Sequence, residues 1–195
     1  MSNRIITISR EFGSGGRTIG RGVAEKLGIP CYDHEIIAKV AEKSGLSSAY
    51  IKEHGEYTHE GGWIGGMFSA RDYRSGQSSQ DILWTEQRNV VIELAEKGPC
   101  VVVGRCADHI LKGKADLLTV FIHASMEKRA ERIVKVYGES EESPEKRLRD
   151  KDKRRKAYYR LYTDMEWGIA QNYHIALDSG ALGVDKCIEI ITSLY

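Results

Sequence analysis

Apolar positions along this chain switch repeatedly between two periods. Ile5, Ile6 and Ile8 form a short β-branched run suited to a strand. Ile19, Val23 and Leu27 then recur at helical spacing, and Gly28-Ile29-Pro30 stops that helix. Pro30-Cys31-Tyr32 offers a short second strand. Ile36, Ile37 and Val40 share one face of a helix ending near Gly45. From Gly45 to Gln80 the periodicity disappears, and glycines at 55, 61, 62, 65, 66 and 76 alternate with Trp63, Phe68 and Tyr73. Leu83, Val90, Val91 and Leu94 define a long helix closed by Gly98-Pro99. Cys100 to Gly104 and Leu117 to Ile122 are continuous apolar runs, as in strands covered on both faces. Ser125 can cap a helix whose inner face is Met126, Ala130, Ile133, Val134 and Tyr137, and Ser143-Pro144-Glu145 opens another. Tyr158, Leu161, Tyr162, Met165 and Ile169 form an apolar helical face. Tyr173 to Leu177 reads as a fifth strand, and Val184, Cys187, Ile188 and Ile191 as a closing amphipathic helix.

Five strands separated by helices predict an α/β fold, a five-stranded parallel sheet flanked by helices and joined by right-handed crossovers. The 195 residues fit one domain, 1–195. Ligands of such sheets sit at the carboxyl ends of the strands. That rule gathers the turn after the first strand, Asp33 after the second, Gly104-Arg105 after the third and Ser179-Gly180 after the fifth. The aperiodic stretch 45–80 is expected to be a mobile insertion that closes over a substrate. An ordered surface excursion without function stands equally beside that reading.

Composition removes several classes of function. A net charge of +1 gives no steering toward nucleic acid or membrane, and no apolar run approaches the ~20 residues of a membrane helix. The first strand begins within a few residues of Met1, which leaves no room for a signal peptide, so a cytoplasmic protein is expected. Cys31, Cys100, Cys106 and Cys187 form no C-x-x-C pair, and the six histidines show no metal-ligand spacing. The run Lys146 to Arg160 holds nine Lys or Arg against Asp150 and Asp152. Alone it reads as a solvated helix face, and the interleaved acids argue against a nucleic-acid interface.

The candidate chemistry begins at Ile5-Ile-Thr-Ile-Ser-Arg-Glu-Phe-Gly-Ser-Gly-Gly-Arg-Thr18, where a strand ends in a glycine-rich turn that opens a helix. Converging N–H groups and the helix N-terminus make such a turn a phosphate cradle. The pattern G-x-x-x-x-G-K-[ST], aligned on Gly16, puts Glu11 at the first glycine and Arg17 at the lysine. Thr18 keeps the hydroxyl for Mg²⁺. Arg17 keeps a permanent cation whose fork can hold phosphate oxygens. Gly13, Ser14, Gly15, Gly16, Arg17 and Thr18 are therefore the candidate nucleotide-binding residues. A glycine turn without a ligand is the alternative.

Four segments together resemble the cytidylate kinase-like proteins, within the P-loop nucleoside monophosphate kinases. They are the cradle led in by Ser9-Arg10-Glu11; Tyr32-Asp33-His34-Glu35-Ile36-Ile37; Gly104-Arg105 followed by Ala115-Asp116-Leu117, Phe121 to Ser125 and Arg129-Ala130-Glu131-Arg132; and Asp150 to Arg155 followed by Ala176-Leu177-Asp178-Ser179. The resemblance implies transfer of the ATP γ-phosphoryl group to a nucleoside monophosphate with Mg²⁺. It also implies a monophosphate-binding insertion and an arginine-rich lid over 144–160. In these terms Arg17, Arg149, Arg154 and Arg155 are the catalytic cations. Arg105 binds the acceptor phosphate, and Asp108 and Asp152 are further acceptor contacts. Asp33 is an indirect Mg²⁺ or acceptor contact, with a plain helix cap as the alternative. The partners are then small-molecule nucleotides, with neither nucleic acid nor membrane. Two departures bear on the acceptor: Cys106 stands where the family has the Asp that helps to read cytosine, and Lys156-Ala157-Tyr158-Tyr159 replaces a Pro-Leu after the lid. A kinase of another small acceptor and a non-catalytic nucleotide-binding protein remain alternatives.

Overall fold

The computed structural model describes residues 4–33 and 79–195, with the helical positions 36, 39, 42 and 43. The expected insertion over 45–80 falls, apart from its last two residues, outside the described residues. Ser79 and Gln80 already belong to a helix.

Five parallel strands form one sheet: β1 (Arg4–Arg10), β2 (Cys31–Tyr32), β3 (Cys100–Val103), β4 (Asp116–His123) and β5 (Ile175–Asp178), in the order β2-β3-β1-β4-β5. Besides the helical positions 36, 39, 42 and 43, the α-helices among the described residues are α1 (Gly16–Leu27), α2 (Ser79–Glu96), α3 (Ala107–Ile110), α4 (Met126–Tyr137), α5 (Pro144–Thr163), α6 (Ser179–Leu182) and α7 (Val184–Ser193). β1 lies at the centre, pairing with β3 through Ile5↔Cys100 to Ile8↔Val103 and with β4 through Arg4↔Asp116 to Arg10↔Ile122. The chain reverses direction across the sheet at β1, so the crevice at its carboxyl end is the switch point where α/β sheets bind ligands.

Strand alternation builds two cores. Ile6, Ile8, Val101, Val103, Val120 and Ile122 face α1 and α7, where Ile19, Val23, Cys187 and Ile191 meet them. Ile5, Cys100, Val102 and Phe121 face the other way, toward α2, α3 and the carboxyl half of α5. A third cluster, Ala130, Ile133 and Leu148 with Phe12, joins α4 to α5 beside the glycine turn. Complete burial of each such aliphatic side chain stabilises the fold by about 1.5–3 kcal/mol. Two helix starts read from the sequence have the expected caps: Ser125 Oγ accepts from the Lys128 N–H and Ser143 Oγ from the Lys146 N–H. Tyr137, expected on the inner face of α4, is half exposed and stacks on Phe12, while Arg129 takes an inner position. The cysteines are free thiols, and burial pushes the Cys100 thiol up to about 12. Among the described residues no helix is long and apolar enough to cross a membrane.

Candidate active site

The glycine turn lies at the carboxyl end of β1. Gly13 (φ 82) and Gly15 (φ 83) are left-handed, a conformation that favours glycine. A Cβ at Gly13 would stand 2.9 Å from both the Arg129 carbonyl oxygen and Ile133 Cγ2, so α4 presses directly on the turn. Ser14 Oγ donates to the Glu11 carbonyl (2.9 Å), and Ser179 Oγ donates to the Ser14 carbonyl (2.6 Å), tying the turn to the end of β5. Gly15 caps α1 without a side-chain hydrogen bond. The N–H groups of Gly16, Arg17 and Thr18 therefore have no partner inside the helix and carry the positive end of its dipole.

Arginines surround this opening. A cavity of about 100 Å³ on the turn is lined by Arg10, Arg17, Thr18, Arg132 and Arg155. Arg132 Nη2 donates to Thr18 Oγ1 (2.9 Å), and Arg155 Nη1 donates to the Arg10 carbonyl (3.0 Å). Arg17 Nε lies 2.8 Å from Oδ2 of the buried Asp33. Arg129 braces the turn from below. Its Nη1 lies 2.5 Å from Asp152 Oδ2 and donates to the Phe12 carbonyl, and its Nε lies 3.3 Å from Glu11 Oε2. Asp152 Oδ1 accepts the Phe12 N–H (2.8 Å). Burial lifts the Glu11 carboxyl above its ordinary value, with the Arg129 charge opposing the shift.

A second, narrower cleft of about 20 Å³ adjoins the first and is lined by Ser9, Arg10, Arg105, Cys106, Arg155 and Tyr159. Arg105 (φ 64) and Cys106 (φ 52) are both left-handed, a strained arrangement for two consecutive non-glycine residues. Arg105 is 4% exposed. Its Nη1 donates to Gln87 Oε1 (3.3 Å), and Gln87 Nε2 donates to the Tyr158 hydroxyl (2.8 Å). No carboxylate among the described residues pairs with it, and its Nε has no hydrogen-bond partner there. A buried cation without a counter-charge is costly, so the cleft suits an anion. Burial raises the Tyr158 and Tyr159 hydroxyls far above their ordinary range and keeps them protonated.

Several expected residues lie elsewhere. Of the three arginines expected on a lid, Arg155 alone lines the cradle or the cleft: Arg149 is exposed, and Arg154 lines a surface pocket with Phe12, Ser140, Glu142 and Arg147. Helix geometry explains this, since residues 149, 154 and 155 point to different sides of α5. Asp152 is a brace beneath the turn, with both oxygens already occupied. Asp108 accepts the Tyr159 O–H (2.7 Å) and lines a separate cavity of about 580 Å³ with His109, Thr119, Tyr173 and His174. It is not brought to the Arg105 cleft. The donors also do not fit a resident Mg²⁺. The Thr18 hydroxyl is exposed and taken by Arg132, Asp33 and Glu11 each face a guanidinium, and the described residues contain no metal-holding cluster. A magnesium ion at this turn would have to arrive already bound to a ligand.

The sequence reading gives Arg10, Arg129 and Arg132 no role beyond membership of their segments, and it does not single out Gln87. Gln87 had a signal, being a polar residue within the apolar stripe Leu83, Val90, Val91 and Leu94. Arg129 and Arg132, three apart on α4, reach the turn from the same helix.

A central parallel sheet with a cationic glycine turn at its switch point defines an α/β protein with the fold of the kinase type. A family model for the cytidylate kinase-like family matches residues 5–181, and the chain belongs to that family; it is a phosphotransferase. A cytidylate kinase of Archaeoglobus fulgidus is 30% identical over 191 residues, covering 95% of this chain and 91% of the relative. The solved structure of an uncharacterized protein from Eubacterium ventriosum is 28% identical, with a TM-score of 0.73, and covers 97% of this chain and 96% of that one. Shikimate kinase from Acinetobacter baumannii shares the fold at 18% identity, with a TM-score of 0.55 and coverage of 100% and 93%.

Proposed function

We propose that the protein transfers the γ-phosphoryl group of ATP, bound as its magnesium complex, to a nucleoside monophosphate, with CMP or dCMP the first acceptors to try. The observation that carries this reading is the buried Arg105, without a carboxylate partner among the described residues, in a cleft that adjoins the cradle across Arg155. The Gly13–Thr18 backbone and the α1 N-terminus hold the donor's phosphates. Arg105 receives the acceptor's phosphate, oriented through Gln87 and Tyr158. Arg155 stands between them, where charge develops on the transferred group. Such a reaction needs positioning and positive charge rather than covalent chemistry from the protein. Closure of 144–160 as a lid within a single domain, 1–195, excludes water and suppresses ATP hydrolysis. ATP as donor favours the cytoplasm as the protein's compartment. The relative named cytidylate kinase supports a cytosine acceptor. Cys106, together with Asp108 facing another cavity, favours a second reading with a different acceptor.

The test is chromatographic quantification of products with MgATP and CMP, dCMP, UMP, AMP, GMP or shikimate. The expected result is ADP and a phosphorylated acceptor in equal amounts, greatest with a cytosine nucleotide. ADP without a phosphorylated acceptor, or no ADP with any of them, contradicts the kinase reading.

A further inference from the structure

The glycine turn carries its cation at an unexpected position. The pattern G-x-x-x-x-G-K-[ST] runs from a strand, through a closing glycine followed directly by lysine, into a helix. Here the left-handed glycine before the helix is Gly15, and α1 opens on Gly16. Counted from Gly15, the pattern's first glycine falls on Arg10, its lysine on Gly16 and its hydroxyl on Arg17. The two outer positions are thus exchanged: an arginine replaces the first glycine, and a glycine replaces the lysine.

Packing makes the exchange reciprocal. A Cβ at Gly16 would lie 2.5 Å from Arg10 Cβ and 2.7 Å from its Cγ, so the Arg10 stem fills the space where a lysine at 16 would begin. Arg10 is 5% exposed. Arg10 and Arg155 are the two residues that line both the cradle and the Arg105 cleft. Arg17 lines only the cradle, with its Nε against Asp33.

We infer that Arg10, carried on the end of β1, is the cation that holds the transferred phosphoryl group, in place of both a helix-borne lysine and Arg17. The identity of that group rests on the kinase reading above; the position of the cation rests on the packing. In the step itself an acceptor phosphate oxygen bonds to the γ-phosphorus as the bond to the β–γ bridging oxygen breaks. The bond electrons leave on ADP, and Arg10 and Arg155 neutralise the oxygens in between.

The experiment compares Arg10→Met, which keeps the stem over Gly16, with Arg10→Lys, Arg17→Gln, Gly16→Lys and the double variant Arg10→Gly/Gly16→Lys, which writes out G-x-x-x-x-G-K. MgATP affinity is read by calorimetry, turnover with the best acceptor by product formation, and folding by thermal melting. Arg10→Met is expected to lose about 100-fold in kcat and about tenfold in ATP affinity, and Arg10→Lys to recover at least a tenth of parental kcat. Arg17→Gln is expected to stay within tenfold of parental kcat. Gly16→Lys is expected to melt below the parent, and the double variant to recover both melting temperature and ATP affinity. Arg17→Gln losing as much as Arg10→Met, or Arg10→Met binding ATP as tightly as the parent, overturns the inference. If the parent phosphorylates no acceptor, the kinase reading falls, and the affinities of the same variants still decide which arginine is the phosphate cation. A parent that binds no ATP overturns both.

Discussion

The 580 Å³ cavity beside Asp108 and the 100 Å³ cradle on the glycine turn differ in more than size. The larger lies toward the amino-terminal half of β4, with Asp116, Leu117 and Thr119 among its lining. Its buried carboxylate is already bonded to Tyr159. The smaller lies at the carboxyl ends of the strands, where a helix N-terminus and the arginines at 10, 17, 132 and 155 converge. Charge held in a confined place is expensive, so its convergence points to an anionic ligand more directly than volume does.

The largest expected effect is on the charged side. Arg155→Met should lower kcat by about 10³-fold, the scale of an arginine acting on a transferred phosphoryl group, with a smaller change in MgATP affinity. Single-turnover kinetics and calorimetry on the same preparation check it. An intact rate would show that the cradle and the Arg105 cleft work separately.

Asp152→Ala tests whether the carboxylate beneath the cradle is a brace. Removing one partner from a buried ion pair costs about 3–5 kcal/mol. At about 2–4 °C per kcal/mol for a domain of this size, the melting temperature should fall by roughly 10 °C. Turnover measured well below the new midpoint should stay close to parental. A large loss of kcat with little change in stability would place Asp152 at the substrate after all.

The smallest effect is expected beside the larger cavity. Burial raises the Asp108 pKa above its ordinary 3.8, so the folded chain holds that proton more tightly than the unfolded chain. Stability carried by this group is then present at low pH and lost as pH rises through the folded pKa. Asp108→Asn can keep the oxygen that accepts from Tyr159 and should remove that pH dependence. Melting followed from pH 4 to pH 8 should show the variant gaining on the parent as pH rises, with kcat/KM changed less than twofold. A variant that falls behind as pH rises would reverse the sign.

The strands and helices were legible because their apolar periods are unambiguous. Cys100 to Val103 is a buried parallel strand in both the sequence and the structure. The inner face of α5 was not legible: the expected apolar face Tyr158, Leu161, Tyr162, Met165 and Ile169 outruns the helix, which ends at Thr163, and Leu161 and Ile169 are exposed, whereas Leu148, Asp152, Arg155 and Tyr159, at helical spacing, are all buried. That spacing alone separates Arg155 from Arg149. The register of the glycine turn was hidden for a different reason. Gly13, Gly15 and Gly16 are chemically identical, and only backbone angles show which of them precedes the helix. The separation of Asp108 from the Arg105 cleft was hidden because the left-handed pair Arg105-Cys106 turns the chain into α3 immediately before it, a bend that no residue type announces.

Adenosine and cytidine joined through five phosphates would span both openings at once. If the cradle and the Arg105 cleft form one continuous site, calorimetry should give this molecule a Kd at least 100-fold below that of MgATP, with Arg155→Met abolishing most of the gain. Binding no tighter than ATP alone would contradict a shared site for donor and acceptor.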